Sequence, residues 1–128
     1  MDGVEPPVTV VETTPTAVLD EAQRLLDAGL PFHAHEVLEE RWKAAPAAER
    51  DLWRGLAQLA VGLTHAARGN QRGAVALLHR GAALVGPYAA TAPYGVDASG
   101  LVAWAEQARG QVDGGSSVPT VPRLRAAH

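Results

Sequence analysis

The chain has 128 residues, the size of one domain, and a chain of this length buries about two thirds of the surface that it exposes when unfolded. Apolar residues make up 47% of it, but aromatic residues only 5%. That composition favours packed helices over strands, which are rich in β-branched and aromatic residues. The net charge of −3 offers no basic surface for a phosphate backbone, so nucleic acid is not an expected partner. We expect an all-α, single-domain bundle.

The chain contains no cysteine, which excludes disulfides, thiolate metal sites and a cysteine nucleophile. No basic-then-apolar leader opens the sequence, and no apolar run approaches the roughly 18 residues that a membrane span needs. We therefore expect a cytoplasmic protein that is not inserted in a membrane.

Residues 1–15 contain prolines and threonines without helical periodicity, which predicts a mobile N-terminal arm. A first helix is predicted over residues 17–28, with Thr16 as its N-cap. A second helix is predicted over residues 31–45, because Pro31 suits a first helical turn. These two helices begin the bundle.

A third helix is predicted over residues 47–68, at the centre of a bundle that spans residues 16–112. Its apolar stripe consists of Leu52, Leu56, Leu59 and Leu63. Gly55 and Gly62 lie on a flank of that stripe, where each glycine costs about 1 kcal/mol relative to alanine. Their presence predicts that another helix approaches closely at this flank.

The remaining sequence predicts two more helices, which gives a bundle of about five. Asn70 is the expected N-cap of a fourth helix that ends near Val85, and Asp97 is the expected N-cap of a fifth over residues 98–112. A glycine- and serine-rich stretch and a proline-containing end follow, which predicts a mobile tail over residues 113–128.

The second and third helices concentrate the polar side chains that carry chemistry. His35, Glu39 and Trp42 stand at positions i, i+4 and i+7, so they share one face of the second helix. Gln58 and His65 are seven residues apart and share a line on the third helix. If the two helices form an antiparallel hairpin, these lines face each other and form one polar cluster.

A divalent metal such as zinc is one ligand that this cluster suits. His35, His65 and Glu39 supply two imidazoles and a carboxylate and leave a coordination position open. An ion held there would lower the pKa of a bound water, and Glu36 would be the catalytic base that takes its proton.

Two other interpretations of the cluster remain open. Its members would also suit a buried network in which they satisfy one another's hydrogen bonds and fix the register of the helices. A pocket for a small ligand is the third. The charges of Glu36, Glu40, Arg41 and Lys43 are also typical of a solvated helix face.

Several blocks of sequence, taken in order, closely resemble the small helical proteins of domain-of-unknown-function family 309. The blocks are residues 35–42, 54–60, 65–70 and 73–74, and the resemblance spans about residues 17–105. It implies an all-α fold, and because members are sometimes labelled predicted metal-dependent hydrolases, it suggests that activity. The family's polar positions fall on His35, Glu36, Glu39, Trp42, Gln58, His65, Gly69 and Asn70. His33 departs from the family, which commonly has tyrosine or glutamate there.

Two functions therefore emerge as hypotheses. The first is a small helical protein whose polar cluster holds a divalent metal and supports hydrolysis. The alternative is a noncatalytic interaction or scaffold module in which the cluster is a buried structural network. The sequence leaves open whether the chain is an enzyme, and whether its partner is another protein or a second copy.

Overall fold

The computed structural model describes residues 14–115 and 119–126. Within these ranges the chain forms five α-helices and no strand, so the predicted all-α bundle is confirmed. The helices are α1 (Pro15–Asp27), α2 (Pro31–Ala44), α3 (Arg50–Ala67), α4 (Gln71–Val85) and α5 (Ala98–Asp113). The predicted arm over residues 1–15 lies almost entirely outside the described residues.

Helix α3 is the central element of the bundle. It packs extensively against α2 on one side and α4 on the other, while α1 covers α2 and α5 covers α4. Its predicted leucine stripe is buried throughout, and so is Trp53 beside it. A short 3₁₀ turn over Ala47–Glu49 precedes α3, which therefore begins at Arg50 and not at residue 47.

The N-cap of α1 differs from the prediction of Thr16. The cap is Thr14, whose Oγ1 accepts a hydrogen bond of 3.2 Å from the backbone N–H of Ala17. Pro15 follows the cap and occupies the first turn, where its missing N–H would have no partner within the helix.

The two other predicted N-caps are confirmed. Asn70 Oδ1 accepts from the N–H of Gly73 at 3.0 Å, and Asp97 Oδ1 accepts from the N–H of Gly100 at 3.1 Å. Both helices therefore begin where the sequence indicates.

The predicted close approach at the glycines of α3 is also confirmed. A Cβ atom added at Gly55 would lie 2.7 Å from Val85 Cγ2 and 3.0 Å from the carbonyl oxygen of Gly81 on α4. One added at Gly62 would lie 3.0 Å from the Leu78 side chain. The absence of side chains at these positions lets the two backbones approach more closely than alanine would allow.

Residues 119–126 turn back from α5 and lie against the bundle, unlike the mobile tail predicted for residues 113–128. The indole N–H of Trp104 donates to the carbonyl of Thr120 at 2.9 Å, and Leu124 is only 2% exposed. This packing follows neither helical nor strand periodicity, so the sequence pattern does not reveal it. Among the described residues, no helix combines the length and apolarity needed to cross a membrane.

We predict that Gly55→Ala lowers the free energy of unfolding by about 2 kcal/mol, because the added methyl group forces α3 and α4 apart. Gly110→Ala on α5 is the matched control, since a Cβ atom there meets no atom of the described structure within 4 Å. That substitution should stabilise the protein by about 0.5 kcal/mol, because it reduces the conformational entropy of the unfolded chain. Urea titration measures both, and equal effects would contradict a tight α3–α4 contact.

Candidate functional site

Two arginine–aromatic contacts fix α2 against α3. Arg68 Cζ lies 5.7 Å from the centre of the Phe32 ring, and Arg54 Cζ lies 5.6 Å from the centre of the Trp42 ring. The start of α2 thus meets the end of α3, and the end of α2 meets the start of α3. This is the antiparallel arrangement on which the predicted cluster depends.

His35 and Glu39 are one turn apart on α2 and contact each other. The distance from His35 Nε2 to Glu39 Oε1 is 3.6 Å, which suits a weak ion pair and is longer than a hydrogen bond. The two side chains are 21% and 36% exposed. His35 Nδ1 is buried without a hydrogen-bond partner among the described residues. The Phe32 ring lies 5.7 Å from the imidazole, centre to centre.

Gln58 and His65 lie on the α3 line between Arg54 and Arg68, but they have different surroundings. Gln58 Oε1 is buried and has no hydrogen-bond partner in the described ranges. His65 Nδ1 lies 3.1 Å from Nδ2 of Asn70 and accepts its N–H, since an amide nitrogen can only donate. His65 therefore takes part in the turn between α3 and α4.

The described residues contain no group of three histidine, aspartate or glutamate side chains placed to hold a metal ion. The predicted ligands His35, Glu39 and His65 accordingly do not assemble into such a set. Two of them contact each other, and the third is bonded to Asn70. The predicted base Glu36 is exposed on α2.

A second polar cluster, not predicted from the sequence, is centred on Glu49. Its carboxylate accepts hydrogen bonds from the Tyr94 hydroxyl at 2.7 Å, the Trp53 indole N–H at 3.2 Å and Arg41 Nη2 at 3.2 Å. The Arg41 guanidinium also lies 5.1 Å from the centre of the Trp53 ring. Arg41 is thus half-buried and paired, in contrast to the solvated face expected for it. The four-residue spacing from Glu49 to Trp53 was the available signal for this contact.

The hydrogen bonds of this Glu49 cluster shift the pKa values of Glu49 and Tyr94. Burial raises the pKa of Glu49, but the three donors together hold the pKa below its ordinary value of 4.5. The hydrogen bond to the Glu49 carboxylate raises the pKa of Tyr94, because the phenol must keep its proton to donate. Tyr94 has a left-handed backbone with φ of 54°, which costs about 1 kcal/mol or more in a non-glycine residue.

Comparison with known proteins identifies the family. Residues 19–77 match the family described as "Domain of unknown function (DUF309)". Residues 19–77 form a domain of this family. Neither the curated proteins nor the solved structures yielded a match to the chain.

The matched DUF309 region runs from α1 into α4, and it is shorter than the resemblance over residues 17–105. It contains all the predicted site residues and Glu49. Tyr94, α5 and the packed C-terminal residues lie outside it. The helical hairpin of α2 and α3 is therefore part of the family's domain, whereas one donor of the Glu49 cluster comes from the rest of the chain.

We predict that Tyr94→Phe lowers the free energy of unfolding by about 1.5 kcal/mol at neutral pH, because it removes a hydrogen bond to a charged group. Since the pKa of folded Glu49 is lowered, the stabilisation by its carboxylate is present above pH 4.5 and is lost as the pH falls through the lowered pKa. The difference from wild type should therefore shrink towards pH 3. Because the pKa of folded Tyr94 is raised, its contribution is present below its ordinary value of 10.0 and disappears at higher pH.

Tyr88→Phe is the control for this experiment, because the Tyr88 hydroxyl donates to the uncharged carbonyl of Ala48 at 2.7 Å. The effect of Tyr88→Phe on the free energy of unfolding should be the same at pH 3 and pH 7. Chemical unfolding at several pH values measures both variants. A Tyr94→Phe effect of equal size at pH 3 and pH 7 would show that the charge of Glu49 is not involved.

Proposed function

We propose that the chain is a noncatalytic interaction module that binds a partner protein through one surface of the α2–α3 hairpin. This surface, the hairpin face, consists of Leu30, Phe32, His35, Arg54 and Arg68. The observation that supports it best is the exposure of Leu30 and Phe32, which are 41% and 43% exposed at the start of α2. Burial of such side chains against a partner is favourable, at roughly 25 cal/mol per Å² of apolar surface.

The side chains around Phe32 give this surface the chemistry of a binding site. Phe32 is the only phenylalanine of the chain. Arg68 lies over its ring on one side, and His35 contacts it at 5.7 Å. Aromatic and arginine side chains contribute most of the binding energy in many protein interfaces. An apolar side chain of the partner would cover Phe32.

The exposed arginines of α3 define the charge that the partner should carry. Arg54, Gln58, His65 and Arg68 follow one another at helical spacing, so they form one line that faces α2. Both arginines are exposed while their guanidinium groups rest on aromatic rings of α2. A carboxylate beside the partner's apolar side chain would pair with such a guanidinium group in bidentate geometry.

Metal-dependent hydrolysis and a buried structural network, two of the three interpretations of the polar cluster, receive less support. Metal-dependent hydrolysis requires about three protein ligands and an open position, and the described residues supply no such group. In a structural network the polar side chains would form hydrogen bonds with one another. His35 Nδ1 and Gln58 Oε1, however, have no hydrogen-bond partner among the described residues. A binding role does not require either arrangement.

Site-specific photocrosslinking tests the proposed surface. We predict that a photoreactive amino acid at Phe32 gives a discrete covalent adduct in cells, whereas one at His79, exposed on α4, does not. Once the captured protein has been identified and purified, Phe32→Ala should weaken its binding by about tenfold or more, and Arg68→Glu should do the same. Equal adducts at both positions, or unchanged affinity in both variants, would contradict the proposal.

His35→Ala distinguishes the proposed binding role from metal-dependent hydrolysis and from a structural network. We predict a loss of less than about 1 kcal/mol in the free energy of unfolding, because the His35–Glu39 pair is partly exposed. Leu38→Ala, at a fully buried position one turn away, should cost about 2–5 kcal/mol. Elemental analysis after exposure to zinc should find no stoichiometric metal in wild type. Metal that disappears in His35→Ala would support hydrolysis, and a loss as large as that of Leu38→Ala would support the structural network.

A further inference from the structure

A glutamine on α1 binds the backbone of the C-terminal strap, the segment formed by residues 119–126. Gln23 Nε2 donates to the carbonyl of Pro122 at 3.0 Å, and Gln23 Oε1 accepts from the N–H of Leu124 at 2.8 Å. The side-chain amide of Gln23 thus bonds a backbone carbonyl and a backbone N–H that are two residues apart, as a neighbouring strand would. These contacts recognise an extended peptide without regard to its side chains.

The strap also pairs with the loop before α5. The carbonyl of Leu124 accepts from the N–H of Asp97 at 2.9 Å, and the N–H of Ala126 donates to the carbonyl of Gly95 at 3.0 Å. The pairing forms an isolated antiparallel bridge. Addition of an extended segment to an exposed backbone edge is a common mode of peptide recognition. The strap backbone is therefore bonded by two elements, α1 and residues 95–97, which form the groove that it occupies.

The side chains of the strap supply the selective contacts. Leu124 is buried in the groove, and a basic residue stands on each side of it. Arg125 Nη1 lies 2.8 Å from Asp20 Oδ1, and Arg123 Nη1 lies 3.5 Å from Asp27 Oδ1, so both pair with carboxylates of α1. The groove thus favours a leucine between two cations.

The strap combines one buried side chain, Leu124, with ion pairs at the surface. Its two ion pairs involve exposed side chains, and such pairs contribute about 0–1 kcal/mol each. A cavity of about 420 Å³ remains between α1 and the strap, lined by Leu19, Asp20, Gln23 and residues 123–126. The α1 wall lies within the DUF309 region, whereas the strap lies outside it.

We propose that this groove, formed by α1 and residues 95–97, is a peptide-binding site that the chain's own strap fills in this structure. Its external ligand would be a partner protein with an extended segment that carries leucine between two basic residues. Such a segment would make the same four main-chain hydrogen bonds and the same two ion pairs, and it would displace the strap. This surface is separate from the hairpin face, and the proposal does not depend on the function proposed above.

The first test uses full-length protein and a fluorescent peptide with the sequence of residues 119–126. Leu124→Asp releases the strap, because a carboxylate cannot occupy the buried leucine site. The peptide should bind this variant about a hundredfold more tightly than wild type, where the tethered strap competes at high effective concentration. Adding Gln23→Ala should abolish binding, while circular dichroism verifies that the helices remain folded. Equal, undetectable binding to folded Leu124→Asp and wild type would overturn the proposal.

A charge exchange tests the groove without altering its buried leucine site. Asp20 is 70% exposed, so Asp20→Arg should fold normally while repelling Arg125 of the strap. In the Leu124→Asp background, where the strap is released, Asp20→Arg should prefer a peptide carrying Arg125→Asp over the natural peptide. Leu124→Asp alone should show the reverse preference. Absence of any reversal would overturn the assignment of the ion pair. Analytical ultracentrifugation completes the test, because dimers formed by exchanged straps would assign the groove to a second copy and overturn the proposed external partner.

Discussion

The close approach of α3 to α4 is the constraint on which the other helix positions depend. Gly55 and Gly62 have no side chains, so the backbones of α3 and α4 lie closer together than a methyl group at either position would allow. The buried leucines of α3 then remain available to fill the core beside the other helices. The glycines lower the helix propensity of α3, and tertiary packing offsets this loss of stability. The polar line of α3 is thereby held against α2.

The hairpin shows how an aromatic contact organises polar side chains without bonding them to one another. Arginines at the two ends of α3 rest on aromatic rings at the two ends of α2, while Ala34 and Leu38 of α2 are buried in the core. The histidine and glutamine between these contacts are consequently placed by packing, and their own hydrogen-bonding groups are not all used. Because these unused atoms are buried, the surface that a partner would meet consists of the exposed apolar and arginine side chains.

Most of the fold could be predicted because it depends on local chemistry. Helical periodicity, the caps at Asn70 and Asp97 and the paired glycines all express interactions within a few residues or along one helix face. The cap of α1 was misassigned because Thr14 and Thr16 flank a proline, and only the first of them lets Pro15 occupy the first turn. Sequence-level rules are reliable here where a single local interaction dominates.

The candidate site was less predictable because its residues have competing partners. The seven-residue spacing places His65 on the same line as Gln58, but Asn70 lies closer along the chain and binds the imidazole. Glu49 gains a donor from Tyr94, 45 residues away in a loop with left-handed backbone geometry, and no periodic pattern indicates such a contact. Helical spacing indicates neither the competition from a local partner nor a long-range contact from a loop.

The position of the strap also has a consequence for the order in which the chain acquires its structure. Its hydrogen bonds and ion pairs with α1 join residues about 100 positions apart, from 96 for Arg123–Asp27 to 105 for Arg125–Asp20. Contacts of such long separation carry the largest loop-closure cost and form after local helical pairs have assembled. During synthesis on the ribosome, the outer face of α1 is therefore complete while the segment that will cover it has not yet been made. For that interval the nascent domain presents its groove uncovered to the surrounding solution.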